Sequence, residues 1–223
     1  MIKGKQFDYI AFYDLDHTIL VDNSATHLVS EAKSRGIMSR RHFRQAIWLS
    51  ILYKLRIGDS TKMIVRMLTW LKGIREDDIN RLCVDVFSKH IVDKIRPEIL
   101  ETIREHRSRN GAVVLLSSAS EPICNQVFKY MNLDDLICSK LESVDGILTG
   151  KTQGKLVYAQ EKENRLIDYC KNHAYNPKDA YYYGDSFTDE YVMNAVGYPI
   201  AVDPDKKLVR IALKKGWPII ARN

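Results

Sequence analysis

Short apolar runs alternate with amphipathic segments along much of the chain. An apolar run of about 4 to 8 residues bounded by polar residues is typical of a buried strand. The pattern predicts strands at Tyr9–Tyr13, at Ala112–Ser117, near Ile137, at Ala180–Tyr183 and near Ile200. Helical patterns follow these runs at 97–110, 121–131 and 158–172, and again from 190 and from 205. This order predicts an α/β fold with a doubly wound parallel sheet.

One part of the chain departs from the alternation, because residues 21–94 carry only helical patterns. The predicted helices there are one capped by Ser24 and ended by Gly36, one at Arg41–Arg56, and two that begin near Ser60 and Asp77. We therefore expect a core of residues 1–20 and 95–223, with an all-helical cap of residues 21–94 inserted after the first strand. Further along, Asp145 and Gly146 predict the turn of a hairpin.

Composition narrows the class of protein. The chain has 223 residues, of which 45% are hydrophobic and 28% charged, as in an ordinary globular protein. It contains no apolar run of about 20 residues, and the Met1–Lys5 start does not resemble a secretory signal. The 4 cysteines form no C-x-x-C pair, which indicates free thiols in a reducing compartment. We expect a cytoplasmic protein.

Polar side chains collect where the predicted strands end. The carboxyl ends of parallel strands meet at one edge of a sheet, which is where ligands bind in such folds. The residues found at these ends are Asp14, Asp16, Thr18, Ser117, Ser118, Asp185 and Asp189, and Lys162 lies early in the helix before the last pair. Crowded carboxylates repel one another unless a cation binds between them. Because the ligands offered are oxygens, with no His or Cys, the sequence predicts Mg²⁺.

The same residues can support transfer of a phosphoryl group. A carboxylate can attack phosphorus and form an aspartyl-phosphate. Mg²⁺ and the Lys162 ammonium would offset the negative charge of the incoming phosphate. A second carboxylate two residues away can protonate the leaving alcohol and then activate the water that clears the intermediate.

Two motifs carry a family resemblance. Asp14-Leu15-Asp16-His17-Thr18 resembles the D-x-D-x-T motif of the haloacid dehalogenase superfamily, and Gly184-Asp185-Ser186-Phe187-Thr188-Asp189 resembles its G-D-x-x-x-D motif. The resemblance covers nearly the whole chain. It is greatest to the phosphoserine-phosphatase-like subfamily, which has a Rossmann-like core and a helical cap between the first two motifs. Ser118-Ala119-Ser120 and Lys215-Gly216-Trp217-Pro218 also resemble that group.

The resemblance implies a role for each matching residue. Asp14 would be the nucleophile and a metal ligand, and Asp16 the general acid and base, with its backbone carbonyl on the metal. Asp185 would bind Mg²⁺ and Asp189 would support it. Ser118 and Lys162 would hold the phosphoryl oxygens, although Ser117 competes with Ser118, and Lys151 and Lys155 compete with Lys162. The remaining positions expected to contact phosphate or substrate are Leu15, Thr18, Asn23, Ser117 and Ala119.

The substrate does not follow directly from the resemblance. Phosphoserine phosphatases carry a glutamate nine residues after the nucleophile that contacts the substrate's amino group, but this chain has Asn23 there. An amide does not supply the negative charge that pairs with an ammonium. For the arginine that binds the carboxylate, Arg56 and Arg66 are only candidates. We therefore expect a small phosphomonoester or a lysophospholipid-type phosphate, with phosphoserine as the alternative and phosphoryl transfer to an alcohol left open.

The predicted cap is strongly basic. Between Lys33 and Arg75 there are 11 Lys or Arg residues and one acid, Asp59, in a chain with a net charge of +6 and a pI near 9.0. A solvated helical surface explains such a run. The alternatives are attraction of an anionic substrate and peripheral contact with a membrane, since 46–53 is also apolar. A non-catalytic protein that binds phospholigands or nucleic acid is the rival class; the intact acids argue against it, and we expect no nucleic-acid partner.

Overall fold

The computed structural model describes residues 6–55 and 57–221. Eight strands lie within them: β1 (Tyr9–Tyr13), β2 (Gly111–Ser120), β3 (Asp135–Ser139), β4 (Leu141–Val144), β5 (Ile147–Thr152), β6 (Tyr181–Gly184), β7 (Tyr198–Val202) and β8 (Ile219–Ile220). The α-helices of these residues are α1 (Ser24–Ser34), α2 (Arg40–Lys54), α3 (Ser60–Met67), α4 (Glu76–Val86), α5 (Pro97–Ser108), α6 (Glu121–Tyr130), α7 (Gln160–Asn172), α8 (Glu190–Ala195) and α9 (Lys206–Lys215).

Six strands form one parallel sheet in the order β3-β2-β1-β6-β7-β8. β1 pairs with β2 from Tyr9↔Gly111 onwards and with β6 from Ala11↔Tyr181 onwards. The chain therefore builds the sheet outwards from β1 in one direction and from β6 in the other. The crevice between these two strands is the switch point at which ligands bind in doubly wound sheets. The predicted fold class, a Rossmann-like α/β sheet, is confirmed.

The sheet is buried on both faces by alternating side chains. Tyr13 and Leu115 point into one apolar cluster, which continues into the helices between β1 and β2. Phe12, Val114 and Tyr182 belong to the cluster on the opposite face. Successive side chains of a strand point to opposite faces, so strands covered on both faces read as unbroken apolar runs. This is why the strand positions could be predicted.

Helices α1 to α4 follow β1, and none of the eight strands lies in the described part of 24–94. The chain enters and leaves this segment at adjacent points. Leu20 and Ile95 form an isolated antiparallel bridge, and Val21 N donates to the Lys94 carbonyl at 2.9 Å. The β4–β5 hairpin packs on the same segment, because Gly73 N donates to the Leu148 carbonyl at 2.9 Å. A boundary at 20/21 and 94/95 agrees with this geometry, and the division into core and cap stays a prediction.

Several local predictions need correction. Ser24 was expected to cap α1, but Asn23 is the cap and its side chain accepts a hydrogen bond from Thr26 N. Helix α1 ends at Ser34, two residues before Gly36. Helix α2 ends at Lys54, and Arg56, its predicted end and a candidate substrate arginine, lies outside the described residues, as does the Met1–Lys5 start. The short edge strand β8 was not predicted.

Two further predictions concern the cysteines and the presence of membrane-spanning helices. All 4 cysteines are free thiols, as predicted. Within residues 6–55 and 57–221, no helix combines the length and the apolar character needed to cross a bilayer.

Candidate active site

Three carboxylates meet at the switch point of the sheet. Asp14 follows β1 directly, whereas Asp185 and Asp189 follow β6. One carboxylate oxygen from each of the three lies within 4.8 Å of the others, and among the described residues this is the group able to hold a metal ion. Asp14 and Asp189 are buried, and Asp185 is partly exposed. The strand ends therefore bring together acids from positions 14 and 185–189, as the parallel sheet predicts.

The loop after β1 has an irregular backbone. Residues Leu15–Ile19 form one wide helical turn, within which Asp16 is extended and His17 has a left-handed φ of 60°. Leu20 N donates to the Leu15 carbonyl at 2.9 Å and closes the turn. Leu15 is buried, and so is Thr18, whose Oγ1 has no hydrogen-bond partner among the described residues. The turn therefore places Thr18 in the interior directly beside the Asp14 and Asp16 segment.

Asp16 is held by the start of helix α1. Its Oδ1 accepts a hydrogen bond from Ser24 N at 2.7 Å, and its Oδ2 accepts one from Asn23 Nδ2 at 3.3 Å. Burial raises the pKa of the Asp16 carboxyl, although the hydrogen bond from Ser24 N opposes that shift. The side-chain oxygen of Asn23, Oδ1, accepts a hydrogen bond from Thr26 N at 3.1 Å. Asn23 therefore positions Asp16 and caps α1.

Lys162 is the cation of the acidic group. It lies in the first turn of α7 and is only 3% exposed. Its Nζ lies 3.0 Å from Asp14 Oδ1 and 2.8 Å from Asp189 Oδ1. Burial opposes its charge, but Asp14 and Asp189 outweigh that effect and raise the pKa of Lys162 well above its usual value. The rival lysines, Lys151 and Lys155, are exposed.

Negative charge at the group exceeds what one ammonium neutralises. Burial, with a smaller contribution from the charge of Asp189, raises the pKa of Asp14 to about 6 against the lowering effect of Lys162. Burial, followed by the charges of Asp14 and Asp189, raises the pKa of Asp185 well above its usual value. The contact between Lys162 and Asp14 is an ion pair without hydrogen-bond geometry, so the buried Asp14 Oδ1 accepts no hydrogen bond. An added cation with oxygen ligands fits this group.

Two neighbours of Asp189 were not predicted as site residues. Tyr182, expected only as strand core, is fully buried, and its hydroxyl donates to Asp189 Oδ1 at 2.9 Å. The Tyr182 hydroxyl also accepts from Lys162 Nζ at 3.1 Å. A Cβ at Gly184 would lie 2.8 Å from Asp189 Oδ2, so only glycine leaves room for this carboxylate. The sequence signal that could have revealed the close approach of Gly184 to Asp189 is the glycine of the G-D-x-x-x-D motif.

The serines at the end of β2 differ in their surroundings. Ser117 is 1% exposed, and its Oγ accepts a hydrogen bond from Ala119 N at 3.2 Å. Ser118 and Ala119 are partly exposed. The hydrogen bond of Ser117 thus lies inside β2, where the pairing with β3 shifts in register between Leu116 and Ser120. Strand β2 ends at Ser120, beyond the predicted strand end at Ser117. Ser118 is the more accessible hydroxyl of the two.

Helix α2 also reaches towards the acids. Tyr53 Oη lies 3.3 Å from Tyr158 Oη in the segment before α7. Burial and the Tyr158 hydroxyl raise the pKa of Tyr53 above its usual value, and the charges of Asp185 and Asp189 add to the shift. Tyr53 therefore lies within electrostatic reach of the acidic group. Its spacing from the buried Ala46 and Leu49 marks the inward face of α2, which is the signal that could have found it. Arg66 is exposed on α3.

Comparison with known proteins relates most of the chain to a family of enzymes. The family model described as haloacid dehalogenase-like hydrolase matches residues 11–193. A phosphoserine phosphatase of Mycobacterium tuberculosis is 25% identical, over 94% of this chain and 69% of its own length. A histidinol-phosphatase of Neisseria meningitidis is 26% identical, over 95% of this chain and 97% of its own.

Solved structures show the same fold. A Bordetella pertussis protein of unknown function superposes with a TM-score of 0.87 at 21% identity, covering 96% of this chain and 99% of its own. A phosphoserine phosphatase solved as an analogue of the phospho-aspartyl intermediate gives a TM-score of 0.72 at 18% identity, covering 98% and 95%.

The chain belongs to the haloacid dehalogenase-like hydrolases. The family predicted from the two acidic motifs is confirmed, and so is the assignment of the chain to hydrolytic enzymes whose named relatives are phosphatases. The roles of the individual site residues stay predictions.

Proposed function

We propose that the protein is a Mg²⁺-dependent phosphomonoesterase with Asp14 as its nucleophile. The observation that carries the proposal is the position of Asp14. Its carboxylate is buried, lies 3.0 Å from the Lys162 ammonium and belongs to the group of three acids at the switch point. A buried carboxylate that lies beside a fixed ammonium, within a group of acids able to hold a cation, suits attack on a phosphoryl group.

Asp14 and Asp16 divide the reaction between them. One Asp14 oxygen forms a bond to phosphorus while the bond from phosphorus to the substrate's ester oxygen breaks. Asp16 donates a proton to that oxygen, then removes a proton from the water that hydrolyses the aspartyl-phosphate. Hydrogen bonds from Ser24 N and Asn23 Nδ2 hold the Asp16 carboxylate in position during both steps. The raised pKa of Asp16 favours the protonated form that the first step needs.

Other residues stabilise the phosphate. The Lys162 ammonium offsets the charge of the transferring group, and Ser118 is the accessible hydroxyl for a phosphoryl oxygen. Asp14, Asp185 and Asp189 would hold the metal, together with the Asp16 carbonyl. Bound Mg²⁺ would supply positive charge against the phosphate oxygens. Mg²⁺ is the proposed ion because the group offers carboxylate oxygens and no nitrogen or sulfur.

For the substrate, we propose a small-molecule or lysophospholipid-type phosphate monoester. The amide of Asn23 is already used by Asp16 and Thr26, so it neither offers a charge nor stands free to select an ammonium. Phosphoserine is the second candidate, favoured by the names of relatives such as the mycobacterial phosphoserine phosphatase. Phosphoryl transfer to an alcohol would use the same residues. A cytoplasmic location stays a prediction.

The test is hydrolysis of an aryl phosphate by the wild type and by Asp14→Asn, each with Mg²⁺ and with EDTA. Asp77→Asn, at an exposed position of α4, is the matched control. We expect turnover by the wild type and the control with Mg²⁺ only, and a loss of roughly a thousandfold or more in Asp14→Asn. Full activity of Asp14→Asn would refute the proposed nucleophile.

A second measurement identifies the substrate. Phosphate release from phosphoserine, histidinol phosphate, glycerol phosphate and lysophosphatidic acid would be compared at equal concentration. A kcat/KM for phosphoserine at least about tenfold above the others would replace the proposed substrate class by the second candidate. Saturable binding of these phosphates without turnover by any of them would favour the non-catalytic rival.

A further inference from the structure

Helix α2 exposes a continuous apolar face. Ile47, Trp48, Ile51 and Leu55, the last at the helix end, are 44% to 62% exposed, and Ile57 beyond it is 54% exposed. Their spacing of one, four and eight residues from Ile47 places the four on one side of a helix with about 3.6 residues per turn. Ala46 and Leu49 on the opposite side are buried against the rest of the protein. A contiguous exposed patch of this kind marks a surface that contacts a partner.

The same face is basic. Arg40, Arg41, Arg44 and Lys54 lie in α2 and are exposed, and the helix contains no acidic residue. At about 100° per residue, Arg40 and Arg44 fall among the apolar side chains, whereas Arg41 and Lys54 flank them. The nearest acid in sequence, Asp59, caps α3 and lies 3.6 Å from Lys62. We define this surface as the α2 face, and its members are Arg40, Arg41, Arg44, Ile47, Trp48, Ile51, Lys54, Leu55 and Ile57.

We propose that the α2 face binds the surface of an anionic lipid bilayer, with α2 lying in the plane of the interface. Helices that lie in the interface combine an apolar stripe containing Trp, Phe or Leu with Lys and Arg side chains. The stems of Arg and Lys pack along apolar surface while their charged ends reach lipid phosphates. Trp48 supplies the amphipathic ring that prefers the headgroup level. The proposal does not depend on the phosphatase activity.

The charge of the α2 face favours an anionic bilayer over a second copy of the chain and over a nucleic acid. A second copy of the chain would bring four cations against four cations across the interface, with no acid in α2 to pair with them. A nucleic acid would satisfy the arginines but would leave Ile47, Trp48 and Ile51 facing a charged backbone. An anionic bilayer can contact both the basic and the apolar side chains of the α2 face, because its phosphates lie above hydrocarbon.

The helix also joins this surface to the active site. Tyr53, on the inward side of α2, lies 3.3 Å from Tyr158. Binding of the outer side would therefore restrain the helix whose inner side places Tyr53 within electrostatic reach of Asp185 and Asp189.

The test is flotation of the full chain with vesicles of phosphatidylcholine alone or with phosphatidylglycerol, at low and high salt. Three variants would be compared with the wild type: Trp48→Ser with Ile51→Ser, Arg41→Glu with Arg44→Glu, and Trp48→Phe. The matched controls are Leu213→Ser, at a position 70% exposed on α9, and Lys129→Glu with Lys171→Glu, which changes the net charge equally. Far-ultraviolet circular dichroism would confirm that each variant is folded.

We expect the wild type and both controls to float with phosphatidylglycerol vesicles at low salt and to be released at high salt, since screening shortens the reach of the charges. The arginine variant should partition at least roughly thirtyfold more weakly, because each basic residue contributes about a five- to sixfold factor. The Trp48→Ser with Ile51→Ser variant should also lose binding. A blue shift of tryptophan emission on binding should vanish in Trp48→Phe.

Three results would overturn the proposal. The first is an absence of flotation by the wild type with any vesicle, and the second is equal binding by the α2 variants and the wild type. The third is a dimer in light scattering that Trp48→Ser with Ile51→Ser converts to a monomer while vesicle binding is unchanged, which would assign the face to a second copy of the chain.

Discussion

The ammonium of Lys162 lies 2.8 Å from Asp189 Oδ1, and both side chains are buried. The pair joins the first turn of α7 to the loop after β6. A buried charge is tolerated only with a partner, and each of these two side chains provides the partner of the other. The same ammonium reaches Asp14, which makes the pair part of the acidic group as well as part of the core.

Lys162→Met is therefore expected to affect both activity and stability. Activity on an aryl phosphate should fall by at least about a hundredfold, since a charge aimed at the transferring group is lost. The free energy of unfolding in EDTA should fall by about 3 to 5 kcal/mol, because Asp14 and Asp189 lose their partner. Urea unfolding with and without Mg²⁺ measures this, and Mg²⁺ should restore part of the loss. Lys155→Met, at a side chain 81% exposed, should behave as the wild type.

Gly184→Ala tests the space beside Asp189. The added Cβ would lie 2.8 Å from Asp189 Oδ2 and 2.8 Å from Tyr182 Cε1, so the carboxylate must move. Displacement of a site residue by about 1 Å should lower kcat/KM by roughly tenfold to a hundredfold and raise the Mg²⁺ concentration needed for half activity. Gly146→Asn, at an open turn with φ +74°, is the control. An unchanged Mg²⁺ requirement would argue against Asp189 as a neighbour of the metal.

Arg96 anchors the loop that follows Asp14. This side chain is 1% exposed, and its Nη2 donates to Asp203 Oδ2 at 2.8 Å and to the His17 carbonyl at 3.2 Å. Arg96→Met should lower the free energy of unfolding by on the order of 3 kcal/mol, less than for a fully buried pair because Asp203 is partly exposed. It should also lower kcat, since His17 loses the anchor of its left-handed conformation.

Thermal or urea unfolding together with initial rates measures both effects of Arg96→Met. Arg104→Met, whose side chain is 66% exposed, is the control from the same region. Arg96→Lys keeps the charge and should lose less stability than Arg96→Met. If Arg96→Met lost stability but kept the wild-type kcat, its part in positioning His17 would be excluded.

His106 predicts a dependence of stability on pH. Its ring lies between the hydroxyls of Tyr9, 3.0 Å from Nδ1, and Tyr183, 2.9 Å from Nε2. Burial lowers the pKa of His106 from 6.5 to about 4. The unfolded chain therefore binds a proton between these values that the folded chain does not, so the contribution is complete above about pH 6.5 and is lost as pH falls towards 4.

Between pH 7 and pH 5, this residue should remove on the order of 2 kcal/mol from the free energy of unfolding. Urea titrations of the wild type and His106→Gln at both values isolate its share, since other groups titrate in both proteins. The variant should show a smaller loss on acidification. Equal losses would show that His106 is not the group responsible.

Much of the fold could be predicted because burial leaves a pattern. The apolar runs of β1, β2 and β6 are buried on both faces, and the helical segments carry apolar residues at helical spacing. Strand β8 has only two residues, so it is too short to show a pattern of apolar and polar positions. The cap of α1 could not be chosen from sequence, because Asn23 and Ser24 both suit it, and the contact of Asn23 with Asp16 distinguishes them.

The candidate active site also contains contacts that could be predicted from the sequence and contacts that could not. Asp14, Asp185 and Asp189 could be placed together because parallel strands end at one edge. The contacts of Tyr182 and Tyr53 could not, since a tyrosine in an apolar pattern is expected to fill the core. The partner of the tyrosine hydroxyl is a residue distant in sequence. It is Lys162 for Tyr182 and Tyr158 for Tyr53. The packing of the β4–β5 hairpin on the helical segment is equally non-local.

The bridge between Leu20 and Ile95 has a consequence for how this chain can change over evolution. The chain leaves the sheet region and returns to it at adjacent residues, with Arg96 N bonded to the Ile19 carbonyl at 2.9 Å. Everything between behaves as one large loop, and loop length has only a weak effect on closure entropy. The helices beyond the start of α1, which holds Asp16, can therefore be lengthened, shortened or exchanged while the acids at the sheet edge are inherited intact, which separates the history of substrate choice from the history of the chemistry.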